Sequence, residues 1–273
     1  MRHYVTGILR FVASCFLAAF GIYFLACLPS LYARVKLDRS YPALSRYEFE
    51  RTPNVAIVGS SMAFRLYEPY FRTPLRNLSI GGGSPLTGLA IIGSYKTLPK
   101  LILVETNIMS RPIDAALAEQ FGDNPSELYT WFKPTRAFIS LAYHWLKDGP
   151  ENTERLLRLP PAEYDISRSI SDSAAEYAQD WTERMKPNVE HLERLVEGLR
   201  QRGCKIVFFE MPSPPGISES RFTRTARRLT HAAFPEGWIE IPGDEQLRWV
   251  DASHLDERSA MRVAKGIDRF LSE

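Results

Sequence analysis

The chain has 273 residues, enough for one large domain or two small ones, and its 45% hydrophobic and 24% charged residues exclude disordered and collagen-like classes. Its net charge of +2 is uneven, because the first 40 residues hold five Lys/Arg and one acid, which leaves −2 for the remainder. A body with that charge has no global basic field, so no nucleic-acid partner is expected. Three cysteines exclude a disulfide scaffold.

The N-terminus carries the first functional signal. Residues 11–28 contain no charged side chain, and at 1.5 Å per residue a helix over them spans about 27 Å, close to the hydrocarbon thickness of a bilayer. We therefore predict a membrane anchor over residues 1–30. Two processing alternatives stay open: a cleaved signal peptide, disfavoured by the long apolar region and the absence of an A-x-A site, and lipidation at Cys27, which follows only an approximate lipobox.

The flanking charges leave the orientation of the anchor undecided. Arg2 and Arg10 favour a cytoplasmic N-terminus by the positive-inside rule. Arg34, Lys36 and Arg39 lie on the other flank and favour the opposite orientation. Charge alone gives nearly equal weight to both, so the choice depends on the function of the body.

Beyond a predicted stalk over residues 31–50, the chain alternates short apolar runs with helical patterns. The expected strands are 54–59, 75–80, 101–106, 204–211 and, more weakly, 238–241. The expected helices are 86–98, 181–202 ended by Gly203, and 257–271 capped by Asp256. Near-continuous apolar strands are typical of parallel sheets. We predict an α/β doubly wound, mostly parallel sheet over 51–273, with an aromatic-rich insertion at about 111–180.

Polar groups follow the predicted strands where ligands bind in open α/β sheets. They are Gly59-Ser60-Ser61, the Gly81–Gly83 triplet, Thr106-Asn107 and, before the last helix, Asp251-Ala252-Ser253-His254. These are the parts of an acyl-transfer site. A serine hydroxyl needs a base, an imidazole needs a carboxylate to orient it, and an oxyanion needs N–H donors. His254, Asp251, the Ser61 amide, Gly82 and the Asn107 side chain are the candidates.

The four blocks resemble the SGNH (GDSL-like) hydrolase superfamily, with its Gly-Asp-Ser turn, second-block glycine, Gly-x-Asn-Asp and Asp-x-x-His. The resemblance implies a flavodoxin-like fold with Ser61 as nucleophile, His254 as base and Asp251 as its orienter. It also implies an oxyanion hole of Ser61, Gly82 and Asn107. Three positions depart from the pattern: Ser60 replaces Asp, Glu105 replaces Gly, and Ile108 replaces Asp. The Gly-Ser-Ser form resembles membrane-linked branches, including O-acetyltransferases, that act on bacterial cell-surface polysaccharides.

The resemblance implies a serine-dependent enzyme at the bacterial inner membrane, with its body in the periplasm. Through an acyl-Ser61 intermediate it would transfer or hydrolyse an acyl ester, expected to be acetyl, on a cell-envelope or exported polysaccharide. A transferase needs a membrane partner that supplies the acyl group. The alternatives are a non-catalytic SGNH-like scaffold subunit of a polysaccharide modification or export complex, and a cytosol-facing lipid esterase. The sequence gives no sign of a metal or organic cofactor.

Overall fold

The computed structural model describes residues 2–26, 40–49, 53–123, 133–148, 153–241 and 245–272. Its first element is helix α1 (Arg2–Ala26). Within it, Thr6–Leu25 has no fully buried side chain and is the one stretch of the described residues that is long and apolar enough to cross a membrane. This confirms an apolar helix at the predicted anchor. Its last predicted residues, including Cys27, lie outside the described residues.

The centre of the body is a four-stranded parallel sheet in the order β2-β1-β3-β4. The strands are β1 (Val55–Val58), β2 (Leu75–Asn77), β3 (Leu101–Glu105) and β4 (Lys205–Phe209). Val55 is aligned with Leu75 on one side and Leu101 on the other, and Leu101 is aligned with Lys205. The four stronger strand predictions are thereby confirmed as a parallel sheet.

The fifth predicted strand, 238–241, does not form. Its only ladder contact is a bridge between Trp238 and Phe208, where Phe208 N–H donates to Gly237 O and Ile239 N–H donates to Phe208 O. Gly237, at a φ of +84°, turns the chain just before this segment, and Pro242 follows closely after it. The stretch between these two residues is too short to build a ladder.

Eleven further α-helices are described: α2 (Ser40–Phe49), α3 (Ser61–Phe64), α4 (Pro85–Ser94), α5 (Ala115–Phe121), α6 (Lys133–Asp148), α7 (Thr153–Arg158), α8 (Ser167–Ala178), α9 (Thr182–Gln201), α10 (Pro215–Ser218), α11 (Arg221–Ala233) and α12 (Glu257–Ser272). A short 3₁₀ helix covers Glu68–Tyr70. The three predicted helices are confirmed as α4, α9 and α12, but α4 ends at Ser94 rather than at residue 98, because Tyr95 has an extended backbone. Gly203, at a φ of +86°, follows α9, and the Asp256 carboxylate accepts the Ser259 N–H at 2.7 Å to cap α12.

Helices cover both faces of the sheet, so each strand alternates its buried side chains between two cores. Ala56 and Val58 belong to a core completed by α2, α4, α9 and α11. Val55 and Ile57 belong to a second core completed by α3 and α12. Burial on both faces is the physical reason that the strands read as continuous apolar runs.

The predicted stalk at 31–50 differs from the structure in its second half. Residues 40–49 form α2, in which Leu44 and Tyr47 are buried in the first core. Leu44 and Tyr47 are three residues apart, which places both on the face of α2 that meets the body. The folded body therefore includes Ser40–Phe49 rather than starting at residue 51, while 31–39 lies outside the described residues.

A buried ion cluster ties α2 to the sheet. One carboxylate oxygen of Glu68 accepts hydrogen bonds from Arg46 on α2 at 2.9 Å and from Arg76 on β2 at 2.6 Å, and the other accepts the Asn77 N–H at 3.2 Å. Burial alone raises the pKa of Glu68, but the two guanidinium charges and the hydrogen bonds outweigh it and lower the pKa below its usual value.

We expect Glu68→Gln to lower the free energy of unfolding by about 3–5 kcal/mol at pH 7, because it removes the anion between two buried cations. The Glu68 contribution is complete above the unfolded pKa of about 4.3 and is lost as pH falls through the lower folded pKa. The difference between wild type and variant should therefore shrink below about pH 4. Denaturant unfolding of the full chain in detergent, followed by tryptophan fluorescence, measures it.

The matched control is Glu154→Gln, which breaks a 3.4 Å ion pair with Arg158 whose two side chains are almost fully exposed. We expect no measurable change in unfolding there, because exposed pairs contribute little. Equal effects of the two variants would contradict the assigned role of Glu68.

Candidate active site

The turn after β1 presents Ser61 at the carboxyl edge of the sheet. The Ser60 hydroxyl accepts the Met62 N–H at 3.2 Å and caps α3, which begins at Ser61. A Cβ on Gly59 would lie 2.8 Å from the Cβ atoms of both Ala63 and Glu105. Only glycine fits at this close approach, so the packing beneath the turn explains why a glycine precedes the two serines.

A tight hairpin carries the predicted base and its orienter. Val250 N–H donates to His254 O, and Asp256 N–H donates to Arg248 O, each at 2.9 Å. Inside the hairpin, Asp251 Oδ1 accepts the backbone N–H groups of Ser253 and His254, both at 2.8 Å. These side-chain-to-backbone hydrogen bonds form a tight turn, which places the side chains of Asp251 and His254 next to each other.

The structure brings Ser61, His254 and Asp251 into one hydrogen-bonded chain. Ser61 Oγ lies 2.8 Å from His254 Nε2, and His254 Nδ1 lies 2.8 Å from Asp251 Oδ2 and 3.0 Å from Oδ1. Ser61 and His254 are 193 positions apart in the sequence. The geometry is that of a nucleophile, a base and an orienting acid.

The charge state of Asp251 sets the tautomer of the histidine ring. Partial burial raises the pKa of Asp251, but the hydrogen bonds from the His254 ring and from the two backbone amides outweigh it and lower the pKa to about 2. An ionised carboxylate only accepts hydrogen bonds, so Nδ1 carries the proton. In the neutral ring Nε2 then accepts the Ser61 hydroxyl, which is the arrangement a general base needs.

Gly82 and Asn107, the two other predicted oxyanion donors, lie on the loops after β2 and β3. Both make hydrogen bonds with other parts of the protein. Gly82 has a φ of +76°, and its carbonyl accepts a hydrogen bond from the Arg111 guanidinium. The Asn107 side chain pairs with the backbone of Met211: Nδ2 donates to Met211 O at 2.9 Å, and Oδ1 accepts Met211 N–H at 2.7 Å. The Asn107 Nδ2 group has a second hydrogen, which these two bonds do not use. The role of Asn107 as an oxyanion donor stays a prediction.

Glu105 is a structural member of the site that the sequence showed only as a departure from the family pattern. It is 0% exposed at the end of β3. Its Oε2 accepts the Ser60 N–H and its Oε1 accepts the Asn107 N–H, each at 2.6 Å. Burial raises the pKa of this carboxyl, although the backbone hydrogen bonds oppose the rise. Glu105 therefore joins the nucleophile turn to the loop of a predicted oxyanion donor.

The insertion also reaches the site, through α8. The Ser169 hydroxyl accepts the Ala252 N–H at 2.9 Å, and the Tyr177 hydroxyl lies 3.0 Å from Ser253 Oγ. Burial raises the pKa of Tyr177 above its usual value, so it stays a neutral phenol at physiological pH. Nothing in the spacing of the sequence indicated these two contacts, because they join segments about 80 residues apart.

Comparison of the chain with protein-family models and with curated proteins finds no match. A serine hydroxyl is hydrogen-bonded to an imidazole, which is oriented by a carboxylate, at the sheet edge where α/β proteins bind ligands. Such a group is equipped for nucleophilic attack on an acyl carbon.

Proposed function

We propose that the chain is a membrane-anchored serine-dependent esterase or acyltransferase of the SGNH type. The observation that carries the proposal is the 2.8 Å contact between Ser61 Oγ and His254 Nε2, continued to Asp251 at 2.8 Å. A buried structural serine has no need of a base held in a fixed tautomer. Nucleophilic catalysis does need one, since the neutral hydroxyl is a weak nucleophile.

The first half of the reaction forms an acyl-enzyme. Ser61 Oγ attacks the carbonyl carbon of an ester while its proton passes to His254 Nε2. The carbonyl oxygen becomes an oxyanion, for which the N–H groups of Ser61 and Gly82 and the Asn107 side chain are the candidate donors. His254 then gives the proton to the leaving oxygen as the C–O bond breaks, and Asp251 stabilises the transient imidazolium.

The second half returns the enzyme and determines its class. A water molecule or a sugar hydroxyl gives its proton to His254 Nε2 as its oxygen attacks the acyl carbon bound to Ser61. The bond between the acyl carbon and Ser61 Oγ then breaks, and His254 returns the proton to Oγ. Water produces a free acid, so the enzyme is an esterase, while a sugar hydroxyl produces a new ester, so it is a transferase. The same residues serve both outcomes, and the acceptor that reaches the intermediate decides between them.

The apolar helix α1 and the resemblance of the sequence motifs support a proposal for the substrate and the location. We propose an acetyl ester on a cell-envelope or exported polysaccharide as the substrate, with the body outside the bacterial inner membrane and α1 crossing it once. The described residues include one helix that could span a membrane, and a single helix offers no path for acyl groups across it. As a transferase, the protein would therefore receive its acyl group from a membrane partner.

A covalent probe tests the proposal directly. We expect a fluorophosphonate to label the purified full-length protein in detergent, with mass spectrometry locating the adduct on Ser61 and with no labelling of Ser61→Ala. The matched control is Ser94→Ala at the far end of α4, where the hydroxyl only donates to Ile91 O and accepts the Asp123 N–H; its labelling should equal that of wild type. An unlabelled wild type would instead support the non-catalytic scaffold.

A second measurement separates hydrolysis from transfer. The wild-type enzyme is incubated with an aryl acetate, with and without a soluble oligosaccharide, and acetyl is followed into acetate and into sugar ester by NMR. Faster aryl release with sugar esters formed identifies a transferase. Release of acetate alone at an unchanged rate identifies an esterase.

A further inference from the structure

The exposed face of α6 bears an apolar stripe. Ile139, Tyr143 and Leu146 follow one another at spacings of four and three, so they share one side of the helix. They are 65%, 58% and 85% exposed. Leu141 and His144 lie on the opposite side and are buried. The helix therefore packs one face on the protein and leaves its apolar face uncovered.

This stripe is a local concentration of exposed apolar side chains. Outside α1, the described residues include seven exposed large hydrophobic side chains, and four of them are on α6: Ile139, Tyr143, Trp145 and Leu146. Large exposed apolar patches mark interaction sites for proteins or membranes. The choice between these two partners depends on what lies next to α6.

The neighbours of α6 favour a bilayer over a protein as the partner of the stripe. Among the described elements, α6 packs mainly against α2, which belongs to the body, and against α1, the helix long and apolar enough to cross a membrane. Within Thr6–Leu25 every side chain is exposed except Tyr23, which is half-buried near the C-terminal end of the span. A helix that contacts a membrane span and turns an apolar stripe outward lies within reach of the lipid surface.

The side chains on α6 suit the boundary between lipid and water. Tyrosine and tryptophan favour the headgroup level, where the ring is buried and the polar end stays hydrated, and the helix offers Tyr143 and Trp145. Lys147, also exposed, stands beside Leu146 and carries the charge that anionic lipid headgroups attract. At 16 residues, α6 is about 24 Å long, enough to lie along the surface but short for crossing it.

We infer that α6 is an interfacial helix that lies on the membrane with Ile139, Tyr143 and Leu146 inserted at the headgroup boundary. The inference rests on the membrane anchor in the proposed function. Two attachments, α1 and α6, fix the rotation of the body relative to the bilayer, whereas a single helix would leave it free to turn. The orientation of the catalytic edge then follows from the fold.

Depth-dependent quenching of single fluorophores tests this inference in the full-length protein in nanodiscs. NBD is attached to Leu146→Cys in a background whose native cysteines are replaced, and lipids with a nitroxide at acyl carbon 5 are added. We expect these lipids to reduce the emission at position 146 by about twofold or more, since interfacial side chains insert about 5–10 Å into the boundary. The matched control is Tyr164→Cys, an exposed aromatic position off α6, where little quenching is expected.

A third variant, which keeps only the native Cys15 on α1, reports on the anchor itself. Quenching at position 15 with none at 146 overturns the interfacial helix and leaves the anchor in place. Blue-shifted but unquenched emission at 146 also overturns it, because a protein surface then covers the stripe. Absence of quenching at both positions overturns the anchor and the interfacial helix together, while the serine chemistry is tested separately by the covalent probe.

Discussion

Replacement of His254 by alanine is expected to lower kcat for ester cleavage by about 10⁴- to 10⁶-fold, the range for loss of the base in serine catalysis. The effect follows from the 2.8 Å contact with Ser61, because within the described residues His254 is the base that is hydrogen-bonded to the Ser61 hydroxyl. His254 is half-buried, so the variant should keep its fold. Stopped assays with an aryl acetate measure the loss.

Three comparisons separate a catalytic role of His254 from a structural one. The control His191→Ala removes an imidazole from the middle of α9 and should leave kcat unchanged. Added imidazole should partly restore turnover of His254→Ala, since it can accept the same proton. The double variant with Ser61→Ala should be no slower than either single variant, because the two residues act as one unit. Independent, multiplying losses would contradict the assignment.

Replacement of Glu105 by glutamine is the second large expected effect, with kcat reduced by about 10²- to 10³-fold. Both carboxyl oxygens accept backbone N–H groups, from Ser60 and from Asn107. A glutamine side chain offers one oxygen acceptor and an NH₂ donor, so one of the two amides would face a donor. The turn before the nucleophile and the loop of Asn107 would then separate, while substrate binding would change little.

The expected signature of a positioning residue is therefore a fall in kcat with a nearly constant KM and a slower reaction with the fluorophosphonate. The matched control is Glu210→Gln just after β4, whose carboxylate pairs with Arg227 and His231 on α11. This control should alter neither kcat nor the labelling rate. A rise in KM with unchanged kcat for Glu105→Gln would show that Glu105 shapes binding instead.

The regular elements could be predicted because each has a local cause in the sequence. Parallel strands buried on both faces appear as uninterrupted apolar runs, and Gly203 and Asp256 mark helix ends by backbone conformation and capping. The spacing of Asp251 and His254 was informative for the same reason, since a turn of four residues is local. The contact of Ser61 with His254 needed only the topology of the sheet, which gathers the carboxyl ends of the strands at one edge.

The features that could not be predicted depend on contacts between distant segments. In the sequence, Glu105 is only an acidic residue at the end of a predicted strand. Its role depends on the contact with the Ser60 amide, which the fold creates. The side-chain amide of Asn107 binds the backbone of Met211, which lies 104 positions further along the sequence. Helix α2 has the mixed composition of a stalk, and its ten residues do not reveal that Arg46 pairs with Glu68.

The contacts of α8 also bear on how this chain can be shortened. An engineer seeking a minimal soluble catalyst would remove the insertion at about 111–180 and retain the sheet with its flanking layers. That deletion would take away the Ser169 and Tyr177 hydroxyls, which hold Ala252 and Ser253 from outside the hairpin. A trimmed version must therefore keep α8 or replace both tethers, or the imidazole will sample orientations in which it no longer faces the serine.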